Sequence, residues 1–167
     1  MKNKKIILSG PPGTGKTTII HELKKRGYNC IKEINPLHSN KEIRKNKLSI
    51  SQFLFQKRKE QYNINNNNIV FYDRSMIDVV AYMNFWKEPY PALWDKVIQD
   101  AQYFNQIFYT PVWRKIYTPN KYRPEDYEES KKIDFFLKQT FLNFNYTIIE
   151  IPKLTVSKRV DFIINNI

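Results

Sequence analysis

Residues 10–17 read Gly10-Pro11-Pro12-Gly13-Thr14-Gly15-Lys16-Thr17, directly after the apolar run Ile6-Ile7-Leu8. The stretch matches the phosphate-binding pattern G-x-x-x-x-G-K-[ST] at every fixed position, with a strand before it and a helix after it. Its glycines allow backbone conformations that a side chain would forbid, so the amide N–H groups can converge on phosphate oxygens at a helix N-terminus. The alternative is an ordinary Gly/Pro turn. The agreement of motif and context favours a nucleoside triphosphate site.

The side chains that follow the glycines indicate ATP and Mg²⁺ as the ligands. Lys16 can reach the β- and γ-phosphates, and the hydroxyl of Thr17 can ligate Mg²⁺. We expect the nucleotide to contact the whole stretch from Gly10 to Thr18.

Size and composition limit the classes of protein to which the chain can belong. At 167 residues, with 41% hydrophobic residues, the chain is expected to form one domain over residues 1–167. No apolar run approaches the roughly 20 residues that cross a bilayer, and only three apolar residues separate the basic N-terminus from the phosphate loop, which argues against a signal peptide. Cys30 is the single cysteine, so no internal disulfide or cysteine-based metal site can form. We expect a cytoplasmic protein.

The net charge of +12 indicates an anionic partner. Nucleotides satisfy this expectation, and nucleic acid is a less favoured option. Solvated lysines in a Lys/Asn-rich background are the alternative, since the basic residues are spread over the whole length.

Apolar runs that alternate with helical patterns predict an α/β protein of three layers: a five-stranded parallel sheet with helices on both faces and a kinase-like lid at about residues 112–128. The expected strands are 5–9, 28–32, 69–72, 106–110 and 147–151. The expected helices are 16–26, 50–62 (with Ile50, Phe53 and Leu54 on one side), 75–86, 93–101, a long one opened by Pro124, and a last one capped by Thr155.

Ligands of such sheets bind outside the carboxyl ends of the strands, where three charged residues fall. Asp73 ends an apolar strand and can hold Mg²⁺ opposite Thr17, unless it or Ser75 only caps the next helix. Arg74 can clamp the acceptor or the transferring phosphoryl group, or else pair with a rim acid. Glu33 can accept a proton from an attacking hydroxyl, or else be a solvated loop acid.

Two further groups border this edge. Residues 112–123 are predicted to form an irregular, basic stretch. This stretch can act as a lid that closes over a triphosphate, or it can be an ordinary basic surface loop. Its cations are Arg114, Lys115, Lys121 and Arg123, and the two arginines are the catalytic candidates. On the second helix, Gln52, Phe53 and Gln56 can border an acceptor base, although a core Phe53 with surface glutamines is the favoured interpretation. His21 and His38 lack a metal-ligand or catalytic pattern.

The chain resembles the small bacterial AAA-type ATPases that are related to the ribosylnicotinamide kinase domain of the bifunctional NAD-biosynthesis regulator. The motifs that carry the resemblance are residues 10–17, Glu33, Asp73-Arg74-Ser75 with Asp78 and Tyr82, Tyr109-Thr110-Pro111-Val112-Trp113, Ile151-Pro152-Lys153 and Val156-Ser157-Lys158-Arg159-Val160. The resemblance implies a nucleoside or nucleotide kinase fold. It also implies that Asp73 helps to hold Mg²⁺, Arg74 positions the acceptor and Glu33 acts as base toward a nucleoside 5′-hydroxyl.

Three functions follow as hypotheses. The first is an ATP- and Mg²⁺-dependent phosphotransferase that acts on a small hydroxyl acceptor, such as a nucleoside or a nucleotide-like molecule. The second is a 5′-kinase of oligonucleotides, which the basic charge motivates. The third is a nucleotide-binding ATPase or regulatory switch without a small-molecule acceptor.

Overall fold

The computed structural model describes residues 4–35, 41, 43, 46–64, 68–118 and 125–167. Five parallel strands form one sheet in the order β2-β3-β1-β4-β5. They are β1 (Lys5–Ser9), β2 (Asn29–Ile31), β3 (Val70–Asp73), β4 (Gln106–Tyr109) and β5 (Thr147–Glu150). The strand containing the residues before the phosphate loop therefore lies at the centre, which places the loop in the middle of the sheet edge.

Helices cover both faces of this sheet. They are α1 (Lys16–Lys25), α2 (Lys47–Tyr62), α3 (Met76–Trp86), α4 (Leu93–Asp100), α5 (Tyr127–Asn143) and α6 (Val156–Ile164). Helices α1 and α6 pack on one face in one apolar cluster, whereas α2 to α5 pack on the other face in a second cluster. The chain thus has the α/β fold of three layers that the sequence predicts.

Alternation along the strands decides which face each site residue occupies. Phe71 belongs to the cluster with α1 and α6, so Asp73, two positions on, falls on the α1 face. Ile7 belongs to the other cluster, so Ser9 falls on the α3 face. The carboxylate at the end of β3 and the phosphate-loop helix therefore share one side of the sheet.

The burial of α2 differs from the prediction. The helix begins at Lys47, where Asn46 accepts a hydrogen bond from the Ser49 amide at 2.7 Å. Its most buried residues are Ser51, Phe55 and Arg58, not the expected face of Ile50, Phe53 and Leu54, which are half-buried. Phe55 stacks on Trp94 with ring centroids 4.2 Å apart, and Arg58 donates to the Ser75 carbonyl at 2.7 Å. These contacts with other segments rotate the helix away from the face its own periodicity indicates.

Two smaller expectations also change. The stretch after β4 is not wholly irregular, because Arg114–Ile116 form a 3₁₀ turn. Thr155 occupies the N-cap position of α6 but its side chain makes no capping hydrogen bond. The observed strand and helix ends otherwise lie close to the expected ones, while Pro124 lies outside the described residues.

Within the described parts of the chain, no helix combines the length and apolar character that a membrane span needs.

Candidate nucleotide site

The phosphate loop has a backbone that only glycine accommodates at its critical positions. Gly10 has φ +143°, and a Cβ there would overlap the backbone and hydroxyl of Thr110 at the end of β4. Gly15 has φ +83° and is the N-cap residue of α1. The loop therefore closes tightly against β4 before it enters the helix, and its amide groups lie at a helix N-terminus, where the dipole favours an anion.

Lys16 is folded back over the loop. Its Nζ donates to the carbonyls of Gly10 and Pro11, at 2.7 Å each, and the residue is 6% exposed. Burial, and then the charge of Arg74, lower the pKa of Lys16 to about 7, although Glu33, Asp73 and Asp78 oppose the shift. The ammonium is thus held at the loop, within the field of the charged groups that end β3.

Hydrogen bonds of hydroxyl groups hold the loop in shape. The Thr14 and Thr110 hydroxyls share a hydrogen bond of 2.6 Å, and Thr110 Oγ1 also donates to the Ser9 carbonyl. Thr18 Oγ1 donates back to the Gly15 carbonyl at 2.7 Å. Thr17 is exposed at the start of α1. The exposed Thr17 hydroxyl can therefore meet a ligand, while its neighbours hold the loop in shape.

Arg159 is a contact residue of the loop whose individual role sequence reasoning missed. It is 2% exposed, comes from the first turn of α6, and donates to the Thr14 carbonyl at 3.0 Å. Its guanidinium carbon lies 5.6 Å from the centre of the Trp113 ring. The available signal was a cation on the helical face of Val156 and Ile163, where an apolar residue would be expected.

Asp73 ends β3 beside β1, with Leu8 as its register partner. It is 5% exposed, and its Oδ1 has no hydrogen-bond partner among the residues the structure describes. Burial, reinforced by the negative charge of Glu33, raises the pKa of Asp73 to about 6, although Lys16, Arg74 and Arg58 act in the opposite direction. A buried, unpaired carboxylate oxygen on the α1 face fits a Mg²⁺ ion shared with the Thr17 hydroxyl, because Mg²⁺ prefers oxygen ligands.

Such a site would take most of its ligands from phosphate and water, as Mg²⁺ sites at nucleotides do. Among the described residues, no group of three or more His, Cys, Asp or Glu side chains is placed to hold a metal.

Arg74 pairs with Glu33 across the edge of the sheet. Its Nε donates to Glu33 Oε1 at 2.6 Å, with 7% of the Arg74 side chain and 43% of the Glu33 side chain exposed. Arg74 holds a left-handed backbone, φ +72°, which a non-glycine residue adopts only at some cost. Glu33 is therefore a half-exposed carboxylate fixed by a buried guanidinium, not a freely solvated loop acid.

The positive charges around Glu33 keep it ionised. Partial burial by itself would raise the pKa of Glu33, but Arg74, Lys16 and Arg58 outweigh it and place this pKa below its ordinary value. Arg74 correspondingly has a pKa above its ordinary range, because the facing Tyr82, Glu33 and Asp78 outweigh the effect of burial. The pair is charged on both sides at neutral pH.

Asp78 connects the end of β3 to β1. Its carboxylate accepts from Ser9 Oγ at 2.5 Å, from the Ser75 amide at 2.7 Å and from Ser75 Oγ at 2.9 Å. Ser75 is the N-cap of α3, and its side chain accepts from the Ile77 amide. The capping alternative for Asp73 is therefore wrong, since Ser75 and Asp78 form the capping box. Asp73 is left available for another role.

The remaining candidates lie further out. Arg114 is exposed, with its guanidinium carbon 4.7 Å from the centre of the Tyr127 ring, and Lys115 is exposed beside it. Lys121 and Arg123 lie outside the described residues, as does His38. Gln52, Gln56 and His21 are exposed and Phe53 is half-buried. The structure thus brings Lys16, Glu33, Asp73 and Arg74 together, and it does not place Arg114 in that group.

Two clefts of the described surface lie elsewhere, along α5. One of about 670 Å³ is lined by Lys138 and Tyr146, and one of about 620 Å³ by Lys87 and Phe136. The cation that borders the first cleft is already paired, since Lys138 contacts Glu150 and Asp134. Neither cleft reaches the phosphate loop.

Comparison with known proteins decides the family. The model of the AAA domain family matches residues 5–159. The chain belongs to this AAA domain family. The match includes the phosphate loop, Glu33, Asp73-Arg74-Ser75 and Arg159. No curated protein matches the sequence.

Solved structures with the same fold include nucleoside and nucleotide kinases. Deoxyadenosine kinase from M. mycoides, solved with bound dATP, superposes with a TM-score of 0.71 at 19% identity and covers 97% of this chain and 98% of its own. Thymidylate kinase from Ehrlichia chaffeensis gives 0.67 at 17% identity, with 99% of each chain covered. NadR in complex with NR gives 0.70 at 17% identity, over 98% of this chain and 49% of that one. This member of the AAA domain family therefore has the kinase-like fold that the sequence predicts.

Proposed function

We propose that this chain is a phosphotransferase that uses ATP and Mg²⁺ to phosphorylate a hydroxyl group of a small nucleoside or nucleotide-like acceptor. The observation that carries the proposal is the Glu33–Arg74 pair, 2.6 Å long, at the same sheet edge as Lys16 and Asp73. A phosphate loop alone supports nucleotide binding; a fixed, ionised carboxylate beside it supplies the base that an acceptor hydroxyl requires.

On the donor side, the loop amides and Lys16 would bind the β- and γ-phosphates. Lys16 would leave the carbonyls of Gly10 and Pro11, which are its present partners, and pair with the anion instead. Thr17 and Asp73 would hold Mg²⁺, which neutralises developing phosphate charge when bound. The unpaired Oδ1 of Asp73 is the atom that supports its part in this.

On the acceptor side, the hydroxyl oxygen attacks the γ-phosphorus while its proton passes to a carboxylate oxygen of Glu33. The bond from the γ-phosphorus to the bridging oxygen breaks, and ADP leaves with that electron pair. Arg74 would orient Glu33 and offer its remaining N–H groups to the acceptor or to the transferred phosphoryl group. Arg114, Lys115, Lys121 and Arg123 stay predicted as lid cations.

The solved relatives support this class of reaction. The M. mycoides enzyme is a deoxyadenosine kinase solved with dATP, and NadR was solved with NR. Both share the fold of this chain over nearly its full length, and this common fold supports a nucleoside-like acceptor. We therefore propose a nucleoside-like acceptor for this chain.

The experiment that tests the proposal is transfer of label from γ-labelled ATP. The acceptor panel contains nucleosides, ribosylnicotinamide, nucleotides and 5′-hydroxyl oligonucleotides, each with Mg²⁺ and with EDTA. We expect label in the ester of one small acceptor, and only with Mg²⁺. A panel in which no hydroxyl compound becomes labelled would contradict the proposal.

The net charge of +12 favours oligonucleotides as the second class of acceptor. This alternative predicts acceptor binding that weakens steeply with salt, because counterions are released when phosphates are neutralised. A flat salt dependence would remove it.

A further inference from the structure

Arg159 contacts the phosphate loop but has no part in the proposed reaction. It reaches the phosphate loop from α6: Nη2 donates to the Thr14 carbonyl at 3.0 Å, and Nη1 lies 2.9 Å from the point that a Cβ on Gly15 would occupy. The Trp113 ring lies against the guanidinium, with its centre 5.6 Å from the guanidinium carbon. The guanidinium thus contacts two consecutive loop residues and the segment that follows β4.

The geometry of one peptide group explains why this contact matters. The Thr14 carbonyl and the Gly15 amide belong to the same planar trans peptide, so the C=O and N–H groups point in opposite directions. Because the carbonyl faces Arg159, the Gly15 N–H faces away from Arg159. A charged donor on the carbonyl also polarises the peptide, which makes its N–H a stronger hydrogen-bond donor.

Burial of this arginine is costly for the fold. Burial lowers the pKa of Arg159, and its Nε has no hydrogen-bond partner among the described residues. A helix that only needed to pack on α1 could place an apolar side chain here, as it does with Val160 and Ile163. The contacts that offset part of this cost are the hydrogen bond to the Thr14 carbonyl and the Trp113 ring, and the first of them lies on the phosphate loop.

We propose that Arg159 is a positioning residue of the triphosphate site. It holds and polarises the Thr14–Gly15 peptide so that the Gly15 N–H donates to a phosphate oxygen, and Trp113 holds the guanidinium in place from the other side. The inference rests on the triphosphate site of the proposed function, but not on the acceptor or on the transfer step.

Calorimetric binding of ATP and of inorganic tripolyphosphate, each with Mg²⁺, tests this role on the full chain. We expect Arg159→Met to weaken both ligands by about 10-fold, as for a lost charge-assisted hydrogen bond. Arg159→Lys restores the charge without the fork and should recover part of the affinity. The two ligands should lose the same factor, because the effect is on the phosphates and not on the base.

The matched control is Arg26→Met. Arg26 also joins α1 to α6, through Asp161 and Ser157, but it does not touch the loop. We expect it to change tripolyphosphate affinity by less than about twofold, as for an exposed ion pair. An equal loss in this control would show that α6 only needs to be anchored, and would overturn the inference.

Arg159→Gln replaces the Met variant if that variant does not fold, with the same expected loss, since a neutral amide cannot supply the charge. A folded Met or Gln variant that binds tripolyphosphate as tightly as the native chain overturns the inference. If the native chain binds neither ligand, the triphosphate site itself fails and this inference fails with it. If it binds both but transfers no phosphate, the proposed function alone fails.

Discussion

The phosphate loop and the acid edge, which is the group of Glu33, Arg74 and Asp78 at the end of β3, are neighbours in space but are built by different means. The loop is a backbone structure: its shape comes from glycines at positive φ and from carbonyls that hold Lys16. The acid edge is a side-chain structure, in which Arg74 joins Glu33 across 41 positions of sequence and Asp78 joins Ser9 across 69. The backbone shape of the loop is thus specified mainly by a local motif, to which Thr110 and Arg159 add contacts from distant segments, whereas the acid edge is made entirely of long-range pairs of side chains.

The largest effect is expected from a substitution that removes the charge at the centre of the loop. Lys16→Ala should lower phosphoryl transfer by about 1,000-fold, the upper range for loss of one preorganised electrostatic group. The fold should survive, with a melting temperature within about 4 °C of the native value, because a buried ammonium contributes little net stability. Rates from labelled ATP and a thermal melt measure the two. Lys24→Ala, on the exposed side of α1, is the control and should leave the rate unchanged.

The second prediction separates the two sites. Glu33→Gln should lower kcat by about 100-fold, because the amide cannot accept the acceptor proton, while the KM for ATP stays unchanged. The amide oxygen can still accept from Arg74, so the fold is kept. Steady-state kinetics with varied ATP and varied acceptor provide the split. Glu60→Gln, which alters the exposed pair with Lys57, is the control. A kcat equal to the native value would show that Glu33 is not the base.

A smaller effect is expected from a substitution that changes the geometry of the Glu33–Arg74 pair. Arg74→Lys retains the charge but loses the planar guanidinium, which contacts Glu33 through Nε and Asp78 through Nη1, so that one ammonium no longer holds Glu33 in the same orientation. We expect the acceptor KM to rise by about 10-fold, with little change in the affinity for ATP. The control is Arg26→Lys, the same change in the exposed pairs with Glu22 and Asp161. An effect on ATP larger than on the acceptor would assign Arg74 to the donor side instead.

The smallest expected effect is the uptake of protons when ATP binds. Burial first, and then Arg74, lower the pKa of Lys16 to about 7, and a bound triphosphate should raise it again. Near pH 8 the free lysine is largely neutral and the bound one charged, so ATP binding should take up about one proton. Calorimetry in buffers of different ionisation enthalpy measures this uptake. Lys16→Ala should abolish it; an unchanged uptake in that variant would assign the proton to another group.

The contrast between a local loop and long-range side-chain pairs explains which features the sequence could predict. The strands, their parallel arrangement and the phosphate loop follow from local apolar runs and glycine positions, so the fold class and the position of Lys16 are predictable, whereas the order of the strands in the sheet came from the structure. Asp73 and Arg74 could be placed at the sheet edge because parallel strands end together. For Arg74, pairing with a rim acid was one of two alternatives, but the sequence did not identify Glu33 as that acid, because the direction of a side chain beyond a short strand depends on tertiary contacts.

Arg159 and Arg58 show where local patterns fail. Both are buried cations on helices, and each donates to a backbone carbonyl of a distant segment, at 3.0 Å to Thr14 and 2.7 Å to Ser75. Helical periodicity reports apolar faces, so a charged residue within such a face is read as surface. The rotation of α2, set by Phe55 on Trp94, has the same origin, since no local pattern names the partner ring.

The central claim is that the γ-phosphoryl group goes to an acceptor hydroxyl and not to water. The most direct test follows the label of γ-labelled ATP in a single turnover, with and without the best nucleoside acceptor. The account predicts that most of the label appears in the nucleoside 5′-ester, that little inorganic phosphate forms without acceptor, and that Glu33→Gln suppresses the ester. Label found only as inorganic phosphate, at a rate that the acceptor does not change, would contradict it.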